Sequence, residues 1–144
     1  MRVLLALDSR RAQEWVRVDA RLISIVTRIL LPNWPMSHAI VTSIYRSPAE
    51  EEDIYEKTGY KPSGIHSVGP PFRAVDIHVL SWDDEGVMKV VQRINREWQY
   101  DVKRPRMRVA LYVPHGTAPH VHLQVHPRTM RRPAVTERGL PEEV

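Results

Sequence analysis

The chain has 144 residues, contains no cysteine, and carries a formal net charge of +4. This length predicts one domain with a core of its own, and the lack of cysteine excludes disulfides and thiolate metal sites. Aromatic residues make up 7% of the chain and are not interleaved with basic ones, which argues against a specific nucleic-acid platform. No apolar run has the length of a signal peptide core or a membrane span, so we expect a monomer made in the cytoplasm without a transmembrane segment.

The first half of the chain predicts two helices and one strand. Apolar residues recur every three or four positions over 12–31, which predicts a core helix. A run rich in β-branched residues over 38–45 predicts a strand. Ser47, with proline after it and Glu50 three positions later, forms a capping box that begins an acidic helix over about 48–57.

The second half alternates between strands and one helix. Glycine and proline dominate 59–72, which predicts a loop. Alternating apolar residues predict strands over 73–80, 106–113 and 119–126, and the last two strands form a hairpin. A helical apolar stripe predicts a helix over 84–98.

This order of elements predicts an α+β fold. We expect a small antiparallel sheet with helices packed on one face and a metal site on the other, open face. In the strand that precedes the hairpin turn, Val109, Leu111 and Val113 are predicted to face the core. Residues 1–126 form the predicted single domain, and residues 127–144, which lack periodicity, form a predicted loose C-terminal tail.

The stretch HGTAPHVHLQVH, at residues 115–126, concentrates the histidines of the chain. Its alternation sends valine and leucine to the core and histidine to the opposite face. Asp76 lies inside a β-branched run, where aspartate is unfavourable, and therefore needs a partner or a metal. The open face is predicted to collect polar residues from two strands and one loop: His66, Asp76, His78, His120 and His122.

These residue types have the chemistry of a catalytic zinc site. Such a site takes three protein ligands and keeps a fourth position for water. His66, Asp76 and one of the histidines His120 and His122 would supply the three ligands. The remaining histidine would lie beside the metal-bound water, where it could act as a general base or stabilise an oxyanion.

Three segments of the chain share a pattern with a known family. They are TSIYRS (42–47), HSVGPPFRAVDI (66–77) and PHVHLQV (119–125). Together they resemble the zinc peptidases of the hedgehog/DD-peptidase fold, which include D-Ala-D-Ala carboxypeptidases and phage endolysin L-alanyl-D-glutamate peptidases. The family motif His-x-x-Gly-x-Ala-x-Asp is matched in order by His66, Gly69, Ala74 and Asp76, with Pro70, Pro71 and Phe72 inserted between the glycine and the alanine.

The resemblance implies a function and a set of site residues. His66, Asp76 and His122 would bind zinc, and His120 would handle protons. In the first segment, Ser43 and Arg46 would contact the substrate. The substrate class implied is a peptidoglycan peptide, which a phage lysin of this kind would cleave at the cell wall.

Two alternatives remain open from the sequence. The strand at 119–126 is also similar to the histidine-triad motif of nucleotide hydrolases and transferases, in which His122 would attack a phosphate, with His120 and Gln124 beside it and no metal. The chain could also be a non-catalytic metal-binding module, such as a phage structural component or a cell-wall-binding domain.

Overall fold

The computed structural model describes residues 2–79, 82–114 and 118–133. Its helices are α1 (Ser9–Trp15), α2 (Ala20–Ile25), α3 (Pro48–Thr58) and α4 (Asp84–Glu97). Its strands are β1 (Leu4–Ala6), β2 (His38–Ser43), β3 (Ala74–His78), β4 (Trp98–Gln99), β5 (Ala110–Val113), β6 (His120–Gln124) and β7 (Met130–Arg131). A π-helical turn (Val26–Leu30) and a 3-10 turn (Leu31–Asn33) extend α2, and a second 3-10 turn spans Ile65–Ser67. None of the helices within these ranges is long and apolar enough to cross a membrane.

Five strands form one sheet in the order β1-β2-β3-β6-β5, and β4 pairs with β7 in a separate ribbon. All neighbours in the large sheet are antiparallel except β1 and β2, which are parallel. The predicted α+β class is confirmed. The prediction of a purely antiparallel sheet is wrong at one edge, because the short strand β1, which the sequence analysis did not identify, joins in parallel.

One face of the large sheet packs against the helices. Side chains from α2, its π-helical turn and α4 share one core with alternate residues of the strands. The predicted core residues of β3 and β6, and those just past their ends, are all buried there: Val75, Ile77, Val79, Val121, Leu123 and Val125. Burying one such side chain fully contributes about 1.5–3 kcal/mol. This packing leaves the intervening residues of the two strands on the opposite face, which is open only in part because Ala74, Asp76 and Gln124 are buried there.

The helix predicted over 12–31 is broken into α1 and α2. Asp19 caps α2 by accepting a hydrogen bond from the backbone N–H of Arg21 at 3.0 Å. Just before α2 the chain pairs with a distant residue, since Asp19 N donates to Phe72 O and Phe72 N donates to Arg17 O, both at 2.9 Å. These peptide groups bond to another segment and not along a helix, which explains the break.

The capping box at the start of α3 is confirmed. Ser47 Oγ accepts from Glu50 N at 3.2 Å, and Glu50 Oε1 accepts from Ser47 N at 3.1 Å. Gly59, with φ of +74°, ends the helix in the left-handed conformation that glycine adopts without strain. Since the start of α3 is fixed in this way, Arg46 is held in the short link between β2 and α3.

The core face predicted for the strand before the hairpin turn is confirmed for Val109, which is buried, and wrong for Leu111 and for Val113, which lies opposite His120. In the register of β5 and β6, Ala110 lies opposite the core residue Leu123, whereas Leu111 lies opposite His122 and is 40% exposed. A shift of one residue exchanges the two faces of a strand. The side chain of Asn95 in α4 keeps Ala110 on the core face of β5, because it bonds both the N–H and the C=O of Ala110 at 2.9 Å.

The first part of the predicted tail is tied to the domain. β7, within residues 127–133, pairs with β4. Asp101, which is 1% exposed, accepts hydrogen bonds from Arg128 Nε at 2.9 Å and Arg128 Nη2 at 2.8 Å. The rest of the predicted tail, residues 134–144, lies outside the described residues.

We expect Asn95→Ala to lower the free energy of unfolding by about 1–3 kcal/mol, because both polar groups of the buried Ala110 backbone lose a partner. Urea unfolding followed by circular dichroism measures this change. The matched control is Gln92→Ala, at an exposed position of the same helix, which should change the free energy by less than about 0.5 kcal/mol. Equal effects of the two substitutions would contradict the role given to Asn95.

Candidate metal centre

The residues of the open face, most of them polar, lie in two adjacent rows across the sheet. One row contains Ser43, Asp76, His122 and Leu111, and the next contains Ile40, His78, His120 and Val113. Side chains directly opposite each other on antiparallel strands are neighbours. Asp76 therefore adjoins His122, and His78 adjoins His120, as the predicted alternation of the two strands requires.

His66 reaches the same face from the 3-10 turn. Its Nε2 lies 3.2 Å from Asp76 Oδ1, and its ring centroid lies 5.2 Å from that of His122. The turn is joined to the chain after β2 by two hydrogen bonds, from Arg46 N to His66 O at 3.0 Å and from Ser67 Oγ to Arg46 O at 2.6 Å. These bonds hold His66, at 4% exposure, over the strand that carries Asp76.

The hydrogen bonds of His66 define which ring nitrogen faces the site. His66 Nδ1 lies 2.8 Å from the carbonyl oxygen of Ile44. A carbonyl oxygen can only accept, so Nδ1 donates, and in the neutral ring Nε2 carries the lone pair. Nε2 has no hydrogen-bond partner among the described residues and faces Asp76 Oδ1. Two acceptors therefore confront each other.

The same conflict occurs at His122. Gln124 Nε2 donates to Arg108 O at 2.9 Å, which leaves Gln124 Oε1 as the acceptor for His122 Nε2, also at 2.9 Å. In the neutral ring the lone pair is then on Nδ1, which lies 2.7 Å from Asp76 Oδ1. Gln124, which is 5% exposed, thus orients the ring of His122 toward the carboxylate.

The site brings three acceptor atoms together without a donor between them. One atom each from His66, Asp76 and His122 lies within 4.8 Å of the others. The three acceptor atoms repel one another unless a positive charge lies between them, either a proton on an imidazole or a metal ion. Histidines that bind metals commonly donate their second N–H to a carbonyl or carboxylate oxygen, as both histidines do here. The donor set of two imidazoles and one carboxylate suits zinc, so these residues fit the predicted ion.

The metal-free site is a buried ion pair. Burial acts to raise the pKa of the Asp76 carboxyl group, but its close contacts with the imidazoles of His122 and His66 outweigh burial and hold this pKa far below its usual range. Burial acts to lower the pKa of His122, and the hydrogen bond and charge of Asp76 outweigh it, so that this pKa is raised. At pH values below this raised pKa, a proton on His122 lies between the two side chains.

Two further predicted residues border Asp76. Arg46 Nη2 donates to Asp76 Oδ2 at 3.0 Å, and Arg46 Nη1 lies 3.6 Å from Oε2 of Glu51. His120 Nδ1 donates to the carbonyl oxygen of Ala118 at 3.0 Å, so its Nε2 carries the lone pair in the neutral ring. That nitrogen lies 3.8 Å from Asp76 Oδ2, and a quarter of the His120 side chain is exposed.

The predicted substrate residue Ser43 and two other histidines are not part of the group formed by His66, Asp76 and His122. Ser43 lies opposite Asp76 in the sheet and is buried, which does not favour a substrate contact; its role stays a prediction. His126 lies past the end of β6, with Nδ1 3.7 Å from Asp101 Oδ2. His115 lies outside the described residues.

Sequence reasoning missed the supporting residues of the site. Gln124 was given a role only in the histidine-triad alternative, and its position two residues after His122 on an alternating strand is the signal that could have marked it as a partner. Glu51 and the carbonyl group of Ile44 carry no signal of this kind, because only the tertiary fold brings them to the site.

Comparison of the chain with protein-family models, curated proteins and solved structures finds no match. The interpretation of the site therefore depends on its own geometry and chemistry.

We expect the contribution of His122 to the free energy of unfolding of the metal-free protein to fall as the pH rises from 6 to 9. A raised pKa in the folded state stabilises the protein fully below the ordinary value of 6.5, and this contribution is lost as the pH rises through the folded pKa of His122. Urea unfolding in the presence of a chelator measures the profile. His122→Gln should flatten it, with His38→Gln, at an exposed histidine of β2, as the matched control. If the wild-type free energy of unfolding does not fall relative to that of His122→Gln over this range, the contact between His122 and Asp76 is contradicted.

Proposed function

We propose that this protein is a zinc-dependent peptidase of the hedgehog/DD-peptidase type that hydrolyses a peptide bond in peptidoglycan. The observation that carries the proposal is the convergence of His66 Nε2, Asp76 Oδ1 and His122 Nδ1, with each ring oriented by a hydrogen bond from its other nitrogen. The order of the site along the chain adds support. Arg46, then the loop with His66, then the strand with Asp76, then the strand with His122 all contribute to one surface, as the resemblance implies.

The donor set favours a catalytic site over a structural one. His66, Asp76 and His122 would hold the ion, and three protein ligands leave a fourth position for water. When bound, zinc would acidify that water and polarise the carbonyl group of a substrate.

His120 is suited to move protons at this site. Its Nδ1 donates to a backbone carbonyl group, which fixes the ring and leaves Nε2 free as a base beside Asp76. An imidazole can take a proton from water and return it to a leaving amine near neutral pH. Arg46 adds a fixed positive charge at the partly exposed edge of the site, where it would favour a substrate oxyanion.

The geometry does not favour the histidine-triad alternative. That reaction needs a ring nitrogen of His122 free to attack phosphate. His122 Nε2 donates to Gln124, Nδ1 faces Asp76, and the side chain is only 13% exposed. The alternative also gives no role to His66.

We expect the metal-stripped protein to take up about one zinc per chain, as a site with three protein ligands does. His122→Ala and Asp76→Ala should each lose this zinc, because a ligand is removed, whereas His38→Ala should retain it. Elemental analysis after gel filtration measures the content. Full retention of zinc by Asp76→Ala would show that the ligand assignment is incorrect.

We expect His120→Ala to keep its zinc and to lose about 10²- to 10⁴-fold in turnover, because a general base and not a ligand is removed. The assay is chromatography of peptidoglycan fragments after incubation with the zinc-loaded protein. If the zinc-loaded wild type cleaves no stem peptide or crosslink, the peptidase proposal fails and a non-catalytic metal-binding module takes its place.

A further inference from the structure

The two oxygens of Asp76 have separate partners. Oδ1 faces the histidines, at 2.7 Å from His122 Nδ1 and 3.2 Å from His66 Nε2. Oδ2 accepts a hydrogen bond from Arg46 Nη2 at 3.0 Å. A carboxylate that binds a metal through one oxygen is oriented by what holds the other. Arg46 therefore determines which oxygen of Asp76 is presented to the metal centre.

Arg46 is itself held at both its backbone and its side chain. Its N–H and C=O bond to His66 and Ser67 of the 3-10 turn. Its Nη1 lies 3.6 Å from Oε2 of Glu51, in the first turn of α3. The capping box built on Ser47 fixes this turn of the helix and, with it, the backbone of Glu51.

Glu51 is an unusual residue to bury at this place. It is 9% exposed, and neither of its carboxylate oxygens has a hydrogen-bond partner in the part of the chain that the structure describes. Burying a carboxylate without a partner is costly, so its charge requires a nearby cation. Arg46 is the cation that the structure places against it.

We infer that Glu51 is a positioning residue of the metal centre, which acts through Arg46 on Asp76. This inference rests on the proposed zinc site. The Glu51 carboxylate holds the guanidinium group in place between two carboxylates, so that Arg46 stays bonded to Asp76 Oδ2. It also offsets the positive charge of Arg46, which would otherwise repel a divalent ion bound to Asp76 Oδ1. Both effects favour metal binding.

Zinc affinity is the direct measurement, by competition with a chromophoric chelator at fixed pH. We expect Glu51→Gln to weaken zinc binding by about 10-fold, the lower end of the effect of removing an outer-shell partner, because Glu51 contacts Arg46 and not a candidate ligand. Glu52→Gln, at the neighbouring exposed position of the same helix, is the matched control and should bind as the wild type does. Glu51→Met, which removes the charge without leaving a buried polar group, should show the same loss and serves if Glu51→Gln does not fold.

A double-mutant cycle tests the route through Arg46. Arg46→Gln should also weaken zinc binding, and Glu51→Gln should then add little in that background, since the partner through which it acts is gone. Fully additive losses would overturn the route through Arg46. Unchanged affinity in Glu51→Gln and Glu51→Met, with a wild type that binds zinc, would overturn the inference alone. A wild type that binds no zinc would refute the proposed function as well.

Discussion

The rest of the site depends on the close approach of two imidazole nitrogens, from His66 and His122, to the carboxylate oxygen Asp76 Oδ1. Two imidazoles present lone pairs to one carboxylate oxygen because Ile44 and Gln124 already take up their N–H groups. Such an arrangement is stable only with positive charge at its centre. In the metal-free protein a proton on His122 supplies that charge below the raised pKa of this histidine, and in the proposed enzyme a zinc ion would supply it. The two states would compete, so in the proposed enzyme zinc binding would release a proton and strengthen with pH.

The hydrophobic face of the same strands enforces this arrangement. Asp76 lies opposite His122 only while Val75 and Ile77 of β3 pack with Leu123 of β6 in the core. A slip of one residue between the strands would bury the polar face and expose the apolar one, which the packing forbids. The geometry of the site is thus a consequence of core packing on the far side of the sheet.

The position of the third candidate ligand, His66, depends on a different kind of contact. His66 lies on a turn outside the sheet, and the core does not fix it. Backbone bonds to Arg46 and a ring bond to Ile44 attach this turn to the end of β2. Arg46 in turn bonds Asp76 and lies beside Glu51, so one residue connects the turn of His66, the strand of Asp76 and α3. The relative positions of the 3-10 turn, β3 and α3 at the site are therefore fixed by polar contacts between them.

The sequence by itself determined the α+β class, the capping box at Ser47 and the faces of β3 and β6, since all three follow from local periodicity or short spacing. It also brought His66, Asp76 and His122 forward as a candidate ligand set, through their residue types and a family resemblance. Only the tertiary structure decided the break at Asp19, the parallel strand β1 and the outward position of Leu111. It likewise decided which nitrogen each imidazole presents and which group holds the outer oxygen of Asp76. These features depend on contacts between residues far apart in the chain, which no local pattern encodes.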